Sequence, residues 1–499
     1  REGGQDEVTI KIFDVDAGTE LQDILPRARY WGVEFLPDRG GLVYTRFGPD
    51  GPRIHHHVFS SNVADDRLVF GAELGPGKLA SATVSDSGRW LAINVFHGSA
   101  APKSDIYLVD LAGDGTVTPV VDDLQARSTA QFAGNTLLIR SNWDAANGRL
   151  FTVDPSSPAR DSWLEIVAEQ DSAVIESVTT AGDKLLVTYL ENVVSRVTVY
   201  DLDGNPAGEI VFPTIGSIDG VTGSWGSNEA FFEFSSFHIP ATVYRHVVDT
   251  GERSVWAEPA VPFDSEAYAV EQEWYHSKDG TRVPMFVIHG KGIELDGANP
   301  TLLTGYGGFT LSMTPSFSER AAAWVESGGV YVVANLRGGG EFGEEWHRAG
   351  MLESKQNTFD DFVAAAEWLI EAGYTRPDRL AIRGGSNGGL LVGAVANQRP
   401  DLFGAVVCTY PLLDMVRYHR FLVARFWVPE YGSSEDADQF STLHSYSPYH
   451  NVKRGADYPA MLFITGDGDT SVAPLHARKM TALMQAETGS DRRVLLRYH

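Results

Sequence analysis

Residues 380–392 read Leu380-Ala381-Ile382-Arg383-Gly384-Gly385-Ser386-Asn387-Gly388-Gly389-Leu390-Leu391-Val392. An apolar run, a glycine turn with one central serine and a second apolar run predict a strand, a tight turn and a helix in that order. Gly384, Ser386 and Gly388 fit G-x-S-x-G, the nucleophile elbow that lifts a serine onto a strained strand-to-helix turn. Side chains beside such a turn would collide, hence the glycines, and the start of the helix offers backbone N–H groups where negative charge develops. In this setting Ser386 is the candidate nucleophile.

Strand-like runs surround the elbow at 284–289, 301–305, 330–336, 405–409, 460–465 and 494–498, beside the elbow's own strand at 380–383. They alternate with amphipathic stretches such as 358–371, whose apolar residues are Phe359, Phe362, Ala365, Ala366 and Leu369. That alternation predicts a largely parallel α/β sheet, an α/β-hydrolase domain over residues 266–499. In such a sheet the acid and the histidine follow the serine in that order. Asp467 and Asp469, after the run at 460–465, are both candidates for the acid, and His499 is the only histidine after the final strand begins. Residues 338–343 formally match the dinucleotide fingerprint G-x-G-x-x-G, but Glu344 and Glu345 stand where a pyrophosphate would need a receptive helix start. No cofactor is expected.

Residues 1–265 have another texture. Asp38, Asp86, Gly134, Gly182 and Gly226 mark turns 48, 48, 48 and 44 residues apart, each followed by a short apolar run. The strand aromatics Phe13, Phe59, Tyr107, Phe151, Tyr200 and Tyr244 recur at 46, 48, 44, 49 and 44. Short β-branched and aromatic runs at a fixed period predict blades of a β-propeller, five plus part of a sixth; a β-sandwich keeps no such period. His55, His56 and His57 alternate faces along one run, so at most two share a side, and no metal site is expected there.

The whole chain has 499 residues and a formal net charge of −26, which repels nucleic acid and anionic membrane surfaces. No apolar run approaches the roughly 18 residues of a membrane span. A single cysteine, Cys408, excludes an intramolecular disulfide and cysteine-rich metal centres. Residues 1–6 are polar, begin with Arg1 and have no signal-peptide pattern.

The second half resembles the prolyl oligopeptidase family of serine peptidases. Beyond the elbow, the likeness runs through Gly305-Tyr306-Gly307-Gly308-Phe309, Asn335-Leu336-Arg337-Gly338-Gly339-Gly340-Glu341, Thr358-Phe359-Asp360-Asp361-Phe362, Arg399-Pro400-Asp401-Leu402-Phe403-Gly404 and Tyr446-Ser447-Pro448-Tyr449-His450-Asn451-Val452. The resemblance implies cleavage of short peptides after proline through an acyl-enzyme on Ser386. It also implies Asp469 as the acid, and the Tyr306 hydroxyl with the Asn387 N–H as oxyanion donors. Phe309, Trp427, Tyr431 and Val472 match the pocket that takes proline.

Two departures from the family pattern stand out. Ser471 replaces the arginine commonly found two residues after the acid, and the family's histidine would follow the strand that His499 still occupies. An internal fragment of a protein with about seven blades is therefore expected, inactive for want of its base. A monomer in the cytoplasm is expected, with export by a lost leader as the other possibility. The rival activities are oligopeptidase B-like cleavage after Lys or Arg and a non-catalytic propeller–hydrolase binding protein.

Overall fold

The computed structural model describes residues 7–499, so the polar opening residues lie outside the described part. The first half is a succession of five antiparallel sheets among the described residues. The first sheet contains an extra strand. Val8–Asp14 pairs with the beginning of the long strand Thr19–Phe35, whose remaining residues, from Arg29 onward, pair with Gly41–Gly48. That shared strand is the part-blade expected from the repeat.

Four of the marker turns lie between the first and second strands of their sheets, as at residues 85–89 between Leu79–Val84 and Trp90–Phe96, and the Asp38 turn lies between Thr19–Phe35 and Gly41–Gly48, one strand later because of the extra strand. The repeated turn is also a joint. The Asp86 N–H donates to Gly134 O at 3.1 Å, and the Gly182 N–H donates to Ser227 O at 2.7 Å, each linking one sheet to the next. Gly134 and Gly182 have φ of 60° and 58°, which a glycine adopts without strain. Of the aromatic markers, Phe59 falls just outside its strand, Gly51–Val58. His57 is fully buried and bridges Asp23 (3.0 Å) and Asp66 (2.7 Å), joining the part-blade to the first full one.

The second half is one eight-stranded sheet. Tyr268–His276, Arg282–Gly290 and Val330–Ala334 form an antiparallel edge, and the strands from Thr301–Gly305 to Val494–Tyr498 are parallel. The expected strands are present with small shifts, one ending at Ala334 instead of continuing to residue 336. Tyr268–His276 adds a strand that the apolar pattern did not reveal, because its exposed edge leaves only Tyr275 buried. The expected helix is Gln356–Glu371, and the helix after the elbow is Asn387–Gln398, buried along almost its whole length. No helix among the described residues is long and apolar enough to cross a membrane.

The two halves meet through Val193 and Phe237 of the propeller packed on Phe286, Ile288 and Val333 of the sheet and Val325 of the helix Glu319–Glu326. Main-chain bonds add to this contact, with Glu344 N–H on Ala146 O (3.0 Å) and Ser99 N–H on Phe426 O (2.9 Å). Between the halves lies a cavity of about 430 Å³, lined on one side by Arg127, Arg140 and Glu176 and on the other by Thr310, Gly340 and Glu344.

Candidate active site

The strand Leu380–Gly385 ends where Ser386 turns the chain, at φ 57° and ψ −119°, into the helix Asn387–Gln398. A non-glycine residue in that region is strained and persists only where its surroundings fix it. The glycines provide the fit. A Cβ on Gly384 would stand 1.9 Å from Gly388 O, one on Gly388 2.9 Å from Gly305 O, and one on Gly389 2.6 Å from the Pro411 side chain. Gly385 has more room, its nearest neighbour being Thr409 O at 3.5 Å. The Ser386 hydroxyl makes no capping bond to its own helix, which leaves it available in the cleft. Cys408 pairs with Gly384 in the next strand, and burial pushes its thiol up to about 12, so it stays protonated and inert.

Tyr306 faces Ser386 from the loop after the strand Thr301–Gly305. Burial raises its phenol above the usual range, and the neighbouring Ser386 side chain opposes that rise. Asn387 spends its side chain on structure: Nδ2 donates to Tyr306 O at 2.6 Å, and Oδ1 accepts from the Tyr431 hydroxyl at 2.7 Å. Its backbone N–H stands at the first position of the helix, where an N–H has no partner within the helix and carries the positive end of its dipole.

Phe309 and Tyr431 meet edge to face with centroids 5.4 Å apart. Phe309 and Trp427 are half-buried, while Tyr431 is 1% exposed and Val472 is 5% exposed. Tyr431 therefore presents only its ring toward Phe309, and its polar tip braces Asn387.

The two candidate acids separate clearly. Asp467 is exposed, and its N–H donates to His499 O. Asp469 is half-buried, with Oδ1 accepting the N–H groups of Ser471 (2.8 Å) and Val472 (2.9 Å), which fix the carboxylate's direction. From the propeller, Arg29 reaches Thr470 Oγ1 at 3.4 Å. The His499 N–H donates to Thr465 O at 3.1 Å, so its backbone continues the ladder of the last strand. Among the described residues, no histidine nitrogen is hydrogen bonded to Ser386 or Asp469.

Sequence reasoning missed a buried charged group behind the tyrosine loop. Glu430 is fully buried, with Oε1 accepting the Phe309 N–H at 3.1 Å and Oε2 lying 2.8 Å from His347 Nε2. Lys355 Nζ donates to Gly307 O at 2.6 Å, and Arg127 of the propeller donates to Thr310 Oγ1 at 3.1 Å. Burial brings Lys355 down to about 8. Burial would also lower His347, but the carboxylates of Glu344 and Glu430 outweigh it and raise the imidazole above its ordinary value. The glycine run that mimicked a dinucleotide loop serves this loop too, since Gly338 O accepts the Thr310 N–H at 3.2 Å.

Comparison with known proteins agrees with this architecture. Residues 1–259 match the family model described as the prolyl oligopeptidase N-terminal beta-propeller domain, and residues 315–499 match the one described as the prolyl oligopeptidase family. The prolyl endopeptidase of Elizabethkingia meningoseptica is 34% identical over 508 residues, spanning 99% of this chain and 72% of that protein. The prolyl endopeptidase of Dictyostelium discoideum is 40% identical, over 95% of this chain and 67% of that protein.

A solved structure from a structural and mechanistic analysis of two prolyl endopeptidases superimposes with a TM-score of 0.96 at 41% identity, covering 99% of this chain and 74% of that one. Prolyl oligopeptidase B from Galerina marginata, bound to a 35mer hydrolysis and macrocyclization substrate, gives 0.92 at 27% identity, covering 99% and 73%. With a propeller, an eight-stranded α/β sheet and a strained serine elbow all matched along its length, the chain belongs to the prolyl oligopeptidase family of serine peptidases.

Proposed function

We propose that this protein cleaves short peptides on the carboxyl side of proline through an acyl-enzyme at Ser386. The observation that carries the reading is Ser386 at φ 57° on its elbow, at the start of the helix Asn387–Gln398, with the Tyr306 side chain beside it. In the proposed reaction Ser386 Oγ attacks the scissile carbonyl carbon and its proton passes to an imidazole base. The carbonyl π electrons move onto oxygen, which is received by the Tyr306 hydroxyl and the Asn387 N–H. Each such donor stabilises the tetrahedral state by about 3 kcal/mol. Collapse breaks the C–N bond, the amine leaves with the proton returned by the imidazole, and water repeats the sequence to free the acid. Asp469 is the proposed acid that orients the imidazole, because its carboxylate is already held by two backbone N–H groups.

Phe309, Trp427, Tyr431 and Val472 form the proposed proline pocket, an apolar, partly aromatic wall suited to a pyrrolidine ring. Relatives named prolyl endopeptidase support that choice. Ser471 offers no guanidinium to a substrate carbonyl, so the pocket and the oxyanion donors carry more of the selectivity.

The test compares peptides with Pro, Arg and Ala at P1, assayed on the intact gene product. Preference for Pro is expected. Preference for Arg would favour the oligopeptidase B-like reading, equal turnover of all three would overturn the proline assignment, and no turnover with no labelling of Ser386 would favour a binding protein.

A further inference from the structure

The loop at residues 306–310 joins the two features the reaction needs, the Tyr306 hydroxyl and the Phe309 ring. Its backbone is not relaxed, because Phe309 and Thr310 have φ of 61° and 54°. Two consecutive non-glycine residues in the left-handed region hold only when outside contacts over-determine them. Those contacts converge from separate parts of the fold. Asn387 Nδ2 holds Tyr306 O, Lys355 Nζ holds Gly307 O, and Glu430 Oε1 holds the Phe309 N–H.

Glu430 differs from the other holders. It belongs to the short helix Val428–Tyr431, between Trp427 and Tyr431, so the residue that pins the loop sits in the opposite wall of the pocket. It is also the node of the buried charges, 2.8 Å from His347 Nε2 and 3.9 Å from Lys355 Nζ. Mutual charge pairing lets three ionisable groups remain fully buried, and each would be costly without the others.

We propose that Glu430 is a positioning residue that locks the Tyr306–Phe309 loop to the Trp427–Tyr431 wall, so that one carboxylate sets both the oxyanion donor and the width of the specificity pocket. The inference rests on the functional reading above. A shift of about 1 Å at such a group costs on the order of 10²-fold in rate.

The experiment uses the intact gene product with Glu430→Ala and Glu430→Gln, each corrected by active-site titration so that only competent serines are counted. Glu430→Ala should lower kcat per titrated site about 10²-fold and flatten the Pro-over-Ala ratio at P1. Glu430→Gln keeps an oxygen for the Phe309 N–H and should recover much of the ratio. Values for Glu430→Ala within twofold of wild type, with only a lower melting temperature, would overturn the proposal and leave Glu430 a stabilising residue. If the wild type prefers a residue other than proline, the proline reading fails, and the proposal is judged on the preferred residue's ratio over Ala. If the Glu430→Ala protein does not fold, Glu430→Met decides, because it fills the same space without an oxygen for the Phe309 N–H: kcat per titrated site and the Pro-over-Ala ratio should fall as for Ala, and an unchanged ratio and kcat would contradict the proposal.

Discussion

The propeller and the hydrolase domain bury apolar surface in opposite ways. In the propeller the core is divided into clusters, four of them spanning two successive sheets: Val43 and Ile54 with Leu91, Ala92 and Ile106 with Leu137, Leu138 with Leu185 and Val187, Leu186 with Ala230 and Phe232. The hydrolase has one cluster running from Tyr275 to Val494, with the elbow helix at its centre. A divided core depends on neighbours alone, as in repeat proteins, whereas a single core transmits strain across the whole domain. Positive φ at non-glycine residues occurs in both halves, in the propeller at turns such as Asn192 and Val193, but at Ser386, Phe309 and Thr310 it falls beside the undivided core of the hydrolase, on the residues proposed for the chemistry.

The sharpest way to probe this contrast is at the serine. Ser386→Ala should lower turnover of a proline peptide by about 10⁶-fold without changing the melting temperature, measured by kinetics and calorimetry. Next comes the elbow's packing. Gly384→Ala places a Cβ 1.9 Å from Gly388 O and should destabilise the hydrolase by about 3 kcal/mol, while Gly385→Ala, with 3.5 Å to its nearest neighbour, should be far milder. Denaturant melts of the two variants check the difference, and equal effects would break the account of the turn.

Truncating the cores should separate the domains by range more than by size. Phe362→Ala and Leu138→Ala each remove fully buried side chains and should cost roughly 3 kcal/mol. Hydrogen exchange should accelerate throughout the hydrolase for the first. For the second it should accelerate mainly in the two sheets that share the Leu138 cluster.

The smallest effect is a pH dependence at the seam. Burial holds Glu341 at about 7 and Glu176 at about 7, well above the ordinary carboxyl value, and each raises the cost of ionising the group. For a carboxyl raised in the folded state, the favourable contribution is complete below about 4.5 and is lost as pH rises through about 7. Glu341→Gln, which keeps an oxygen for the Met313 N–H, should therefore be more stable than wild type at pH 8 by on the order of 1 kcal/mol and nearly equal to it at pH 5. A stability gap that does not widen with pH would contradict this.

What the sequence made legible follows the same division. The elbow, the Tyr306 motif and the propeller period were readable because each is carried by contiguous residues or a fixed spacing. Asp469 could not be separated from Asp467 by pattern alone, because the distinction depends on which carboxylate the Ser471 and Val472 N–H groups capture. The clamp of Arg127, His347, Lys355 and Glu430 left no local signal. Its members come from distant segments, and a charged residue in a chain reads as surface until tertiary pairing buries it. The strand Tyr268–His276 was hidden for the converse reason, since an edge strand with one buried residue lacks an apolar run.

The central claim is that Ser386 is an activated peptidase nucleophile. Treating the intact gene product with a fluorophosphonate and mapping the adduct by mass spectrometry tests it most directly. The account predicts one adduct, on Ser386, abolished by Ser386→Ala and protected by a proline-containing peptide. No adduct in the wild type, or an adduct on another serine that survives Ser386→Ala, would contradict it.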